Sequence, residues 1–254
     1  MPRSAAPRKK HVSGGAYWMY GKHACDAALR NPDRVCSRFC VTENAAPFFE
    51  KALATRPSLS PELAAGERIE RYVGADARHQ GAALLVEPLK CVPPAFLGER
   101  HTVVIADGVT DPQNMGAMLR AAAAFGVEAL YAHDRSCPPE GAALAKAASG
   151  HLDTVPFVRE KNLANVIRKL KEDGFFVAFF AADAPNALYE TEFAPRQAFI
   201  FGSEGEGVRR LLRELSDVAL SAPMHPVAES LNVAMTAGIA LSWRYAQEAK
   251  IRTA

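Results

Sequence analysis

The period of the apolar positions changes along this chain, and the changes divide it into elements. Apolar residues recur at helical spacing over 22–30 and 46–53 and cluster as strand-like runs at 34–41 and 82–86, so residues 17–89 read as a small α/β unit. Residues 90–100 (KCVPPAFLGER) break the periodicity with Pro93-Pro94 and Gly98 and read as an interdomain linker. Beyond it the alternation is more regular. Strands are expected at 102–106, 129–132, 175–180, 198–201 and 218–221. Helices are expected at 115–125, 141–148, 162–172, 208–215 and, closing the chain, 232–246. Alternation at this spacing predicts an α/β fold with a mostly parallel sheet covered on both faces. The expected division is a basic tail at 1–16, a small unit at 17–95 and a larger one at 96–254.

Composition narrows the picture. With 254 residues, 49% of them apolar, the chain can bury a core, which excludes disordered, collagen-like and low-complexity classes. No run of 18 apolar residues occurs, and the start lacks the basic, apolar and small-residue order of a secretion signal. A cytoplasmic protein is expected. The five cysteines are odd in number, and Cys36-x-x-x-Cys40 has no second pair, so reduced thiols and no metal site are expected. The net charge of +2 hides an asymmetry. Residues 1–100 carry 15 Lys and Arg against 10 Asp and Glu, whereas residues 101–254 carry 15 against 18. A basic front and a mildly acidic back suit polyanion capture ahead of chemistry.

Three segments carry candidate chemistry. In Asp107-Gly-Val-Thr-Asp-Pro-Gln-Asn-Met-Gly-Ala-Met-Leu-Arg120, Asp111-Pro112 forces a turn and Asn114 is expected at the helix N-cap. Gly116 and Ala117 clear bulk for another backbone or a ligand, and Arg120 follows one turn later, able to hold a phosphate or an oxyanion. In Phe199-Ile-Phe-Gly-Ser-Glu-Gly-Glu-Gly-Val208 a strand enters a glycine-rich loop. Its G-x-x-G-x-G spacing and its acidic Glu204 and Glu206 disfavour a dinucleotide site, yet the loop is built for a ligand held by backbone groups. In Ser221-Ala-Pro-Met-His-Pro-Val-Ala-Glu-Ser-Leu-Asn-Val233 a strand meets a loop before the last helix, with Ser230 as the expected N-cap. No G-x-S-x-G elbow accompanies Ser230, so a serine hydrolase is disfavoured.

In this order and spacing, D-P-x-N-x-G-A-x-x-R, G-S-E-G-E-G and S-L-N-V resemble the SpoU branch of the SPOUT RNA methyltransferases. The resemblance covers the whole chain. Residues 101–254 resemble the catalytic domain, and the stretch opening on Tyr20-Gly21-Lys22-His23 resembles the small substrate-binding domain of the ribosomal-RNA members. It implies a catalytic domain with a deep trefoil knot, a homodimer that completes the active site, and S-adenosylmethionine as cofactor. By the same resemblance Gly202, Ala222, Met224 and Leu231 contact the cofactor, while Asn114, Arg120, Glu204, Ser230 and Asn232 serve catalysis or ribose placement. The implied reaction is 2′-O-ribose methylation of RNA, a 23S ribosomal guanosine above all.

The chain departs from the family pattern at three points: Pro226 where relatives often have glycine, Ala234 where serine is frequent, and His151 where a small residue is common. The competing readings are a tRNA ribose methyltransferase and a non-catalytic RNA-binding protein on the same fold.

Overall fold

The computed structural model describes residues 15–96, 98–225 and 227–253; most of the expected basic tail, at 1–14, and Pro226 lie outside the described residues. The N-terminal unit contains β1 (Tyr17–Tyr20), α1 (Lys22–Arg30), β2 (Cys36–Val41), a short α2 (Glu50–Leu53), β3 (Pro61–Leu63), α3 (Gly66–Val73) and β4 (Ala82–Val86). The sheet order is β1-β4-β2-β3, with β4 antiparallel to both neighbours and β3 parallel to β2. The expected helix at 46–53 is split: Ala46–Phe49 forms a tight 3-10 turn that admits Pro47, and only then does α2 follow. The expected strand at 34–41 starts two residues late, because Arg34 turns away to meet the second unit.

The C-terminal unit runs β5 (His101–Asp107), α4 (Pro112–Ala124), β6 (Ala129–His133), α5 (Ala142–Ala148), β7 (Phe157–Glu160), α6 (Leu163–Glu172), β8 (Phe176–Phe180), β9 (Asn186–Ala187), β10 (Arg196–Gly202), α7 (Arg210–Leu215), β11 (Val218–Ser221) and α8 (Val233–Thr253). Its seven strands lie in the order β7-β6-β5-β10-β8-β11-β9, and every neighbouring pair is parallel. Alternate strand residues point to opposite faces. Val104, Leu130, Phe199 and Phe201 pack with Met115, Leu119 and Leu241 of α4 and α8. Val103, Ile105, Ala198 and Ile200 pack on the other face with Ile167, Leu170 and Leu212 of α6 and α7.

The two units share a boundary sealed by apolar and charged groups alike. α5 packs on β1 and α1, so core residues of both units form one continuous cluster. A Cβ at Gly150 would lie 2.8 Å from the His23 carbonyl oxygen, which measures how closely the chains approach. Beside this contact the buried Arg34 is paired with Asp153 and Glu140. The Tyr17 hydroxyl donates to Glu140 at 2.9 Å, and burial, then the Glu140 charge, push that phenol far above its ordinary pKa. Residues 90–100 connect the units in sequence, but they do not hold them apart.

Candidate active site

Three loops leave the carboxyl ends of β8, β10 and β11 and enclose a cavity of about 480 Å³. Crevices at this edge of a parallel sheet are the usual place for ligands in α/β folds. One wall is apolar, from Phe180, Ala222 and Leu231, and the rim is charged, from Asp183, Glu204, Glu206 and Arg213.

The glycine-rich loop folds back on its own strand. The Gly207 N–H donates to the Ser203 carbonyl at 3.0 Å, with Gly205 and Gly207 at φ of +101° and +67°. Those left-handed conformations suit glycine. A Cβ at Gly202 would stand 2.0 Å from the Gly207 carbonyl carbon and 2.2 Å from the Val208 nitrogen, so the strand end must be bare. Beyond the loop, Asp107 anchors the chain. Its carboxylate, 1% exposed, accepts from the Arg209 N–H at 2.9 Å and from Arg209 Nε at 2.7 Å. In the sequence its one signal is a carboxylate that ends a run of apolar residues.

Asn114, Glu204 and Asn232 come from the three separate sequence segments and meet at the cavity mouth. Asn114 Nδ2 donates to Glu204 Oε1 at 3.0 Å, and Asn232 Nδ2 lies 2.8 Å from the same oxygen and 2.9 Å from Asn114 Oδ1. Two capping expectations are corrected here. Asp111, not Asn114, caps α4: its side chain accepts from the Gln113 N–H, Pro112 occupies the first helical position, and Asn114 lies inside the first turn with its amide free for the site. Asn232, not Ser230, caps α8, with Oδ1 accepting from the Ala234 and Met235 N–H groups at 2.9 and 3.3 Å. Ala234 therefore serves the α8 cap through its backbone N–H.

Gly202, Ala222, Met224 and Leu231 all line the cavity, as do Glu204, Ser230 and Asn232. Arg120 does not. It is exposed on α4 with no hydrogen bond or ion pair among the described residues, and its charge falls on His151. The space cleared at Gly116 is taken by α5: a Cβ there would sit 2.4 Å from Ala147 Cβ. The small residue serves helix packing. Phe180, Asp183, Arg213 and Thr236 line the cavity and were not singled out in the sequence, because they lie outside the three motifs.

Comparison with known proteins decides the family. The model of the SpoU rRNA Methylase family matches residues 101–242, and that for RNA 2'-O ribose methyltransferase substrate binding matches residues 18–91. This chain belongs to the SpoU rRNA methylase family. The SpoU chain is 35% identical over 241 residues to the 23S rRNA (guanosine-2'-O-)-methyltransferase RlmB of Nitrosomonas europaea, covering 92% of each. The fold of this SpoU protein is also that of the SpoU methyltransferase AviRb from Streptomyces viridochromogenes, solved with AdoMet, at a TM-score of 0.76 and 18% identity over 92% of this chain and 91% of that one. A solved structure concerned with 2-OH methylation of C/U34 on tRNA matches less of the SpoU chain. It covers 60% of this chain and 99% of its own, with 26% identity and a TM-score of 0.53.

Proposed function

We propose that this SpoU chain transfers a methyl group from S-adenosylmethionine to the 2′-hydroxyl of a guanosine in 23S ribosomal RNA. The observation that carries this reading is the meeting of Asn114, Glu204 and Asn232 at the mouth of the cavity. The preference for ribosomal RNA over tRNA is supported by the N-terminal unit, which the full-length RlmB match spans. We assign residues 17–95 to RNA capture and 96–254 to catalysis.

The cavity fits the proposed cofactor. Its apolar wall suits an adenine ring, and its loop offers backbone groups to a ligand. The rim carboxylates of Asp183, Glu204 and Glu206 oppose a pyrophosphate but suit the sulfonium and ammonium charges of S-adenosylmethionine, leaving Arg213 for a carboxylate. Gly202, Ala222, Met224 and Leu231 would hold the cofactor. When bound, it supplies a methyl group already activated by the sulfonium charge.

The protein's remaining tasks are alignment and charge control. Asn114 and Asn232 fix the Glu204 carboxylate, and with Ser230 they form the polar edge against which the ribose is placed. A guanidinium offers donors and no acceptor, so Arg120 stabilises negative charge growing on the ribose oxygen. The hydroxyl proton passes to a phosphate oxygen or water. Because Arg120 stands off the cavity of its own protomer, it would act at the site that the implied homodimer completes.

The trefoil knot implied by the resemblance belongs to the same reading, supported by the convergence of the 203–207 and 222–232 loops and the return of α8 onto α4. So does a homodimer, for which α8 offers the exposed side chains of Met235 and Tyr245. No helix among the described residues is long and apolar enough to cross a membrane; a cytoplasmic site of action goes with the ribosomal substrate. Incubation with unmodified 23S rRNA and S-adenosylmethionine, followed by mapping of RNase-resistant 2′-O-methyl positions, tests the proposal. One new guanosine site supports it. An unmethylated 23S rRNA, or a site in tRNA alone, overturns it.

A further inference from the structure

A second, smaller cleft lies where the two units meet. Its walls are His23 and Ala27 of α1 on one side and Ser149, Gly150, His151 and Thr154 on the other, around about 280 Å³. The proposed cofactor and ribose site does not include it. His23 lies in the first turn of α1, whose N-terminus has no side-chain cap, and is exposed to solvent. His151 holds one ring nitrogen, Nδ1, 3.1 Å from Thr154 Oγ1. Ser149 ends α5 in the left-handed region at φ +51°, a conformation that usually selects glycine, so a hydroxyl stands at the cleft where none is needed to end the helix.

The charge of Arg120 acts on His151, and no carboxylate lines the walls among the described residues. Such a surface repels a cation and favours an anion shared between the two rings. Next to it stands Phe48, 43% exposed in the turn before α2. The His23 ring meets it edge-on at 6.0 Å, and Lys22 Nζ lies 5.5 Å from its centroid. An exposed ring beside an ammonium is how proteins hold an unpaired base beside its phosphate.

We propose that the His23–His151 cleft is a backbone subsite for single-stranded RNA, with Phe48 as the stacking platform for a flanking base. It rests on the proposed reaction, since Arg120 is what links the cleft to the ribose. A phosphate lodges between the two imidazoles, Lys22 faces the same strand, and the next nucleotide extends toward Arg120. The binding element is thus assembled from both units, and neither forms it alone. His23, His151 and Phe48 act here as positioning residues.

The test uses the full chain and unmodified 23S rRNA transcribed in vitro. RNA affinity is read by anisotropy of the labelled transcript, methylation by steady-state kinetics, and cofactor affinity by calorimetry. His23→Gln, His151→Asn and Phe48→Ala should each raise the RNA Kd and KM about 10-fold, with a smaller change in kcat and S-adenosylmethionine affinity within about 2-fold of wild type. Phe48→Trp should restore RNA affinity to within about 3-fold of wild type, since the ring and not the phenyl identity is used. Lys22→Gln should flatten the slope of log Kd against log salt by about 0.7, the loss of one neutralised phosphate on a single strand. Unchanged RNA affinity in the His23 and Phe48 variants overturns the subsite; they are exposed and tolerate change if His151→Asn does not fold. A fall in kcat at constant KM also overturns it. Weakened RNA binding in the variants of a chain that fails to methylate 23S rRNA would leave the subsite standing and refute the proposed reaction.

Discussion

Arg34 and Asp153, 119 residues apart in sequence, close on each other through two parallel contacts, Nε to Oδ1 at 2.8 Å and Nη2 to Oδ2 at 3.0 Å. Both side chains are sealed from water. Arg34 comes from the turn after α1 and Asp153 from the segment after α5, so this pair rivets the two units together. A guanidinium fork meeting both carboxylate oxygens fixes orientation as well as distance. The remaining donors reach Glu140 and the Glu87 carbonyl, and Asn31 adds a third contact to Asp153 at 3.1 Å.

Breaking this pair from one side leaves a buried charge without its partner. Arg34→Ala should lower the unfolding free energy by about 3–5 kcal/mol, read from urea denaturation, and Asp153→Asn should fall in the same direction. A change under about 1 kcal/mol would show that water reaches the pair. Removing residues 1–95 strips Asp153 and Glu140 of Arg34 and bares the face of α5, so the truncated chain should be destabilised as well as weakened in RNA binding. The basic front half is therefore not a detachable arm.

Arg120→Ala should reduce single-turnover methylation about 100-fold or more, if its charge is used only in the transition state. Calorimetric affinity for S-adenosylmethionine should stay near wild type, because Arg120 stands outside the cavity lining. Arg120→Lys should also be poor, since the ammonium keeps the charge and loses the planar fork. A rate within about threefold of wild type would remove Arg120 from the chemistry.

Asn232 does two things that can be separated. Its Oδ1 caps α8 and its Nδ2 joins Asn114 and Glu204. Asn232→Asp keeps the cap and replaces the amide donor with a carboxylate facing Glu204. It should lose methylation while retaining most of the helix stability. Asn232→Ala should lose both, with about 1 kcal/mol of the stability loss from the cap. Equal thermal midpoints for the two variants would assign no weight to the cap.

Gly202→Ala tests the bare strand end. The added carbon would overlap the Gly207 and Val208 backbone, which has no flexible side chain to swing aside. The loop must shift, and the affinity for S-adenosylmethionine should drop by about 10-fold or more, with far-ultraviolet circular dichroism retained.

His151 gives a pH signature. Burial first, then the charges of Arg120 and His23, hold its pKa below the ordinary imidazole value. The unfolded chain binds its proton near pH 6.5, the folded chain only at lower pH. Between those values the unfolded state carries more protons. The contribution to stability is whole above about pH 6.5 and is lost as pH falls through the folded pKa. The wild type should therefore lose more stability than His151→Asn between about pH 7.5 and 5, and parallel curves would show that the site is not perturbed.

Most of the C-terminal unit was legible because its central strands are apolar runs separated from its helices by clear turn residues. The ranges 82–86 and 218–221 match β4 and β11 to the residue. The N-terminal unit was harder. β1 and β3 have four and three residues, and α3 buries only Ile69 fully, so none offers a sustained apolar period. β7 went unseen for the same reason, since Arg159 and Glu160 occupy half of its four positions. At the site, motif spacing brought out the residues that meet at the cavity. It misjudged both caps, because asparagine and serine are equally good candidates until the chain's path shows which oxygen faces the free N–H groups. Asp183 and Arg213 had no local signal at all; their roles exist only after residues distant in sequence converge.

The rivet between Arg34 and Asp153 also sets a scale. Two surfaces joined by a swinging tether can grip RNA segments at many separations, but surfaces locked by a buried fork present a single fixed span. Under the proposed reaction, an RNA gripped by the N-terminal unit would meet the cavity at one distance in space, as between the jaws of a locked caliper whose opening is set by one arginine.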